Sequence, residues 1–441
     1  MAPGRRGVTD HAGASTARNG RRTTMGADRS PITHGAMTRR GFNRGALAAG
    51  SVLASPALLR WGANAAEPLK IGVILPRSGF LAFIGQACQR GCDVAVPVLA
   101  EMGMTVQLMN ADTESSPDVA RTQAEKLIRD GAHIIVGAFE SGATAAIAQV
   151  AEQKGVPCVI NIGSEPKITE QGYKFVFRNF PTSPMLVTNG LKRMKSFFEE
   201  TGKTPKTAVF MHVNDTFGQS MLAGITALAP QIGLPFQILE TISYDPKARD
   251  LSIEVAKAKA TGAELNFVVT RLNDTILMVR EMVKQKFEPM GIISPGSPGM
   301  YEGQFLKTLG KYADYCVSNV PWMNPKQALS GIVEAAFKKA YPDQDYDLNI
   351  GFSFEGIQIC ADAAKRAGSN APQALVEALK ATRIEQRVMI GGPIHFDEKG
   401  QNPEQVSAAI QNRDGKPVVT LPAEAATTKP VFPMPGWAQR G

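Results

Sequence analysis

The sequence predicts an α/β chain of two doubly wound, Rossmann-like lobes. Three observations carry that expectation. Short apolar runs alternate with stretches of helical period, the alternation restarts after residue 182, and the chain is long enough for two packed cores.

The first series opens with residues 69–75, LKIGVIL, an apolar strand closed by Pro76 and Gly79. A helix is expected over 85–100 and a strand over 106–109. Residues 118–130 place Ala120, Ala124, Leu127 and Ile128 on one helical face. Residues 133–137 read as a buried strand, 143–154 as an alanine-rich helix and 156–160 as a further strand. The second series has strands at 208–212, 236–241 and 265–270, with helices at 218–229, 251–260 and 274–285. Apolar strands joined through helices imply parallel sheets covered on both faces.

Residues 1–65 differ in kind. Arg39 and Arg40 precede Phe42, an Ala/Leu-rich stretch runs from 46 to 59, and Ala63-Asn64-Ala65 is a small-x-small exit. The apolar stretch is shorter than the ~20 residues a membrane span needs. Together these make a removable export signal, and the arginine pair points to the twin-arginine route. A disordered basic tail and an uncleaved anchor are the competing readings. Residues 1–36 carry almost no large apolar groups, so translation starting at Met37 is the expectation, with Met25 the alternative.

The leader also explains the charge. It holds ten arginines and two acids, so the 48 basic and 40 acidic residues of the whole chain leave 38 of each beyond it. The net charge of +8 belongs to the leader and gives no ground for nucleic-acid binding. Five cysteines (88, 92, 158, 316 and 360) cannot all pair. Cys88 and Cys92, one helical turn apart, suit one buried helix face better than a disulfide. No Cys-x-x-Cys occurs, and His133, His212 and His395 are far apart, so neither a metal site nor a cofactor is expected. Residues 416–441 turn rich in Ala, Thr and Pro and read as an extended surface tail.

Open α/β sheets bind ligands at the carboxyl ends of their strands. After the strand ending at Gly137, Ser141 opens a helix; after the strand ending at Ile160, Ser164 lies between strand and helical turn. Two hydroxyls and the free N–H groups beside them can hold a carboxylate, helped by the helix dipole. Two plain N-caps are the alternative. Arg271, after the strand ending at Thr270, is either a receptor for a second anionic group or a solvated loop arginine.

Residues 71–79 (IGVILPRSG), Ala111-Asp112-Thr113 with Pro117 and Ala120, and the run from Ile135 to Ser141 share an order and spacing with later matches. These are Ala151-Glu152 to Pro157, residues 168–173, Phe177-Arg178 and residues 396–400 (FDEKG). Over about residues 68–420 the chain resembles the periplasmic leucine/isoleucine/valine-binding protein family, the type I branch of ABC-transporter solute-binding proteins. The resemblance implies two lobes joined by a three-stranded hinge, with lobe one at 67–182 and 318–389 and lobe two at 183–317 and 390–422. It implies a ligand carboxylate held by Ser141, a backbone group of Ile162 and the Ser164 hydroxyl. Ile84 would pack on the ligand and Phe217 would cover it, although Phe217 also suits a core aromatic. The implied partners are a small carboxylate ligand and an ABC permease in the inner membrane, for a monomeric, periplasmic, non-enzymatic protein.

One departure stands out. Amino-acid binders of this family carry an acid that pairs with the ligand's ammonium group, and its place here falls on Gly296 in Ser294-Pro295-Gly296-Ser297-Pro298. A buried ammonium without a partner is costly. The expected ligand is therefore a carboxylate that need not be an α-amino acid, such as an aromatic or aliphatic acid. A receptor serving a membrane sensor and, less favoured, an enzyme remain the competing classes. No nucleophile elbow, phosphate-binding loop, dinucleotide fingerprint or His-Glu-x-x-His helix is present.

Overall fold

Every apolar run of the two series falls in a strand of a parallel ladder. The computed structural model describes residues 67–324, 327–423 and 426–440, so the export signal and the start-site expectations lie outside the described residues.

The first sheet is built from β1 (Leu69–Leu75), α1 (Ala82–Glu101), β2 (Val106–Asp112), α2 (Pro117–Arg129), β3 (Ile134–Gly137), α3 (Ser141–Lys154), β4 (Cys158–Ile160) and β5 (Val176–Arg178). Its order is β2-β1-β3-β4-β5 and all its pairings are parallel. The chain then crosses through residues 179–182 to the second series. This comprises α4 (Ser183–Thr201), β6 (Thr207–Val213), α5 (Thr216–Ile232), β7 (Gln237–Tyr244), α6 (Ser252–Ala260), β8 (Leu265–Val269), α7 (Leu272–Lys284), β9 (Gly291–Ser294), α8 (Gly303–Leu309) and β10 (Val317–Val320).

After β10 the chain crosses back. Helices α9 (Ala328–Ala340) and α10 (Leu348–Ala367) lie on α1, and α11 (Pro372–Lys380) packs on α10. Gly91 of α1 makes the close approach to α10 possible, because a Cβ there would stand 2.5 Å from the Ile350 carbonyl. A third crossing leads to β11 (Ala408–Arg413) and β12 (Lys416–Leu421). The second sheet runs β12-β11-β10-β9-β8-β6-β7.

Two expectations are corrected here. The second sheet is not wholly parallel: β11 and β12 form an antiparallel hairpin on its edge. Asp414 and Gly415 turn that hairpin, both at positive φ, which is the two-residue geometry that an Asp-Gly pair favours. The C-terminal stretch is not simply a surface tail. Its first six residues are β12, and further on Phe432, Met434, Trp437 and Arg440 are buried. Trp437 donates from Nε1 to the Phe287 carbonyl at 2.9 Å, and the Arg440 guanidinium lies 4.0 Å from the Trp437 ring centre. Export permits a disulfide, yet all five cysteines are buried free thiols, with Cys88 and Cys92 both on the inner face of α1.

The first and third crossings meet at one buried acid. Glu355 of α10 pairs with Arg387 through both oxygens and accepts the Val388 and Met389 N–H groups at 2.9 Å. Asn179, in the first crossing, donates to the same carboxylate at 2.7 Å and accepts from Asn402 in the third at 2.9 Å. Both members of the ion pair are essentially inaccessible to solvent. A pair so fully hydrogen-bonded fixes where the crossings sit relative to α10.

Candidate functional site

The carboxyl ends of both sheets converge on one cavity. Ser141, Ile162 and Ser164 border it from the first sheet, Phe217 and Arg271 from the second. Five of the six residues singled out in the sequence therefore meet there. Ile84 does not: it lines an adjoining crevice with Phe80, Val213 and Asn273, which Arg271 also borders.

Ser141 is the first residue of α3, and Glu140 before it provides no side-chain cap, so the N–H groups of that first turn lack helical partners. The Ser141 hydroxyl oxygen accepts from the backbone N–H groups of Ser164 and Glu165, each at 3.3 Å. With its oxygen so engaged, its proton is left as a donor. Ser164 is placed alike. Its hydroxyl oxygen accepts from Ser183 at 3.2 Å, and Ser183 also contacts Ser220. This hydroxyl chain links the loop after β4 to α4 and α5 and leaves the Ser164 proton free. Neither serine acts as a plain N-cap: Glu165 caps the turn after Ser164 through its own carboxylate. Two hydroxyl donors beside a positive helix end suit an anionic oxygen.

Arg271 is the one charged side chain among the described residues lining the cavity. Its Nε and Nη2 both donate to Asp215 Oδ2, at 2.8 and 2.7 Å. Its guanidinium lies 5.3 Å from the Phe139 ring centre and 4.8 Å from that of Phe217. A compensated cation between aromatic faces from the two series closes the cleft more than it attracts a second anion. Asn273 adds a direct bond across the cleft, from Nδ2 to the Phe80 carbonyl at 2.8 Å. Close by, Glu140 keeps one oxygen on Thr113 at 3.0 Å while the other has no partner, and burial pushes its carboxyl up to about 7.

The rest of the wall is apolar and aromatic: Phe139, Phe180, Leu186, Pro298 and Val320, with Tyr301 and Asn349 adding polar atoms. Apart from Phe139 and Pro298, these residues come from segments in which no motif stood out. Gly296 lines the cavity where amino-acid binders are expected to carry an acid. Its φ of +149° suits glycine, and a Cβ there would stand 3.0 Å from Leu186 Cβ. Among the described lining residues no carboxylate takes its place.

Comparison with known proteins agrees with this architecture. The Leu/Ile/Val-binding protein homolog 1 of Brucella abortus is 25% identical over 356 residues, which cover 79% of this chain and 92% of the relative. The branched-chain amino acid transporter substrate-binding protein LivJ of Streptococcus pneumoniae, solved with isoleucine, superposes with a TM-score of 0.68 at 18% identity, covering 80% of this chain and 98% of that one. A solute-binding protein of an ABC transporter from R. palustris, solved with benzoate, gives 0.69 at 19% identity, with 82% and 99% covered. These relatives are binding proteins rather than enzymes, and the two solved structures share the type I periplasmic binding protein fold. Residues 68–416 match the family described as periplasmic binding protein, and the chain belongs to that family, which includes the leucine/isoleucine/valine-binding proteins.

Proposed function

We propose that this chain is the extracytoplasmic solute-binding component of an ABC uptake transporter, and that its ligand is an organic acid without an α-ammonium group. One observation carries the choice of ligand. The cavity offers hydroxyl donors at a helix N-terminus, yet its described lining residues include no carboxylate, and Gly296 stands where the ammonium partner is expected. The aromatic walls favour a planar acid, the class to which the benzoate of the R. palustris protein belongs. Ser141 and Ser164 take the carboxylate with the Ile162 backbone, and Phe217 closes over the ligand. Ile84 in its crevice backs the closing edge, and Arg271 joins the two faces.

The lobes divide as 67–182 with 318–389 and 183–317 with 390–422, and closure is favoured by the contacts a ligand makes with both. Export runs through the twin-arginine route, and the closed form is handed to a membrane permease. A thermal-shift panel of amino acids, aromatic acids, dicarboxylates and amides tests the ligand class. Stabilisation by benzoate-like acids supports it; stabilisation by branched-chain amino acids alone overturns it.

A further inference from the structure

Two polar groups of the cavity wall are unused by the carboxylate end. Asn349, in the first turn of α10, is buried, and its backbone N–H donates to Asp347 Oδ1 at 2.9 Å. Its Nδ2 donates to Asp347 Oδ2 at 3.3 Å. A carboxylate accepts only, so this bond fixes the amide with Nδ2 towards Asp347 and Oδ1 turned away from it. That oxygen is buried without a hydrogen-bond partner.

Tyr301, from the stretch between β9 and α8, lines the same cavity. Its ring packs edge-on against Trp322, at 5.5 Å between centres. Its hydroxyl has no hydrogen-bond partner among the described residues. Tyr301 and Asn349 thus border the same cavity from the second series and from α10. Buried polar groups are nearly always paired, and the orphaned Asn349 acceptor marks the place of a missing partner.

We propose that Asn349 and Tyr301 form a second polar subsite that reads a neutral hydroxyl on the ligand, making a hydroxylated carboxylic acid such as a hydroxybenzoate the preferred class. The ligand hydroxyl donates to Asn349 Oδ1 and accepts from the Tyr301 hydroxyl, which satisfies both groups at once. A fully apolar acid leaves both unpaired, and sites built to bond a hydroxyl discriminate strongly against analogues lacking it. This subsite rests on the carboxylate reading above, since that end of the ligand sets where the ring lies.

Calorimetry of the purified chain with benzoate, 3-hydroxybenzoate and 4-hydroxybenzoate tests the proposal. At least one hydroxybenzoate is expected to bind about tenfold or more tighter than benzoate. The same ratio is then measured in Tyr301→Phe, which keeps the ring, and in Asn349→Leu, which keeps the volume. In each the ratio falls towards one, a readout that a general loss of stability does not move. Benzoate binding with no preference for either hydroxylated form overturns the subsite alone, as does a ratio that survives in both variants. No binding of any of the three acids overturns the carboxylate reading together with the subsite.

Discussion

Replacing Ser141 by alanine separates two roles of one hydroxyl. In the ligand-free chain the oxygen accepts two backbone N–H groups at 3.3 Å. These are long bonds, each worth at the low end of a neutral hydrogen bond, so their loss costs about 1 kcal/mol of folding stability. Towards a ligand the proton makes a hydrogen bond to a charged oxygen, worth ~1.5–3 kcal/mol. Affinity for a carboxylate is therefore expected to fall about 10- to 150-fold, well beyond what the stability change explains. Urea denaturation of the free protein reads the first quantity, and calorimetry with benzoate reads the second. Benzamide, which presents no full charge, should lose less affinity than benzoate in the same variant. If Ser141→Ala binds benzoate within about twofold of the parent protein, the hydroxyl does not hold the carboxylate, and the placing of the ligand is wrong.

Other perturbations follow from the same geometry. Asp215→Asn keeps an oxygen for the Gly218 N–H, as Oδ1 does at 2.8 Å, but releases the Arg271 guanidinium from its counter-charge. Aromatic dicarboxylates should then gain about tenfold over monocarboxylates by calorimetry; an unchanged ratio shows that Arg271 does not face the ligand. Glu355→Gln leaves Arg387 buried without a full counter-charge and should cost ~3–5 kcal/mol in urea unfolding, whereas a loss under about 1 kcal/mol means the ion pair does not hold the crossings. Glu140, pushed up to about 7 by burial, keeps its proton in the folded chain at pH values where the unfolded carboxyl, with its ordinary value of 4.5, has ionised. The folded state then binds more protons, so this residue's share of stability falls as pH rises from about 4.5 to about 7 and is level above that. Glu140→Gln should flatten the decline in urea unfolding across that window, and a slope equal to the parent's places the titration elsewhere.

Strands β1 to β4 and β6 to β8 were legible because each is a short apolar run with a helix-period segment beside it, whereas β5, β9 and β10 were not read. β1 and β3 are buried along nearly their whole length, which is what a parallel strand covered on both faces requires. Helices α9 to α11 and the hairpin β11–β12 went unread. Fourteen consecutive residues of α10 from Leu348 to Ala361 are buried, so it has no polar face to give it a helical period. The Asp414-Gly415 turn was a usable signal that was passed over.

In the site, Ser141 and Ser164 could be found because they follow strands and sit at the start of a helix or turn, whereas Ile162 and Phe217 were placed by resemblance. Tyr301 and Asn349 could not, since they reach the cavity from stretches whose only shared property is their position in space. Ile84 was placed by resemblance, and here the edge of the cleft around Phe80 and Asn273 holds it in the neighbouring crevice.

Calorimetry of the purified chain with benzoate and with leucine, side by side, tests the central claim most directly. Benzoate should bind while leucine binds at least about a hundredfold more weakly, because its ammonium enters a cavity whose lining offers no carboxylate. Tight leucine binding with no response to benzoate would contradict the account.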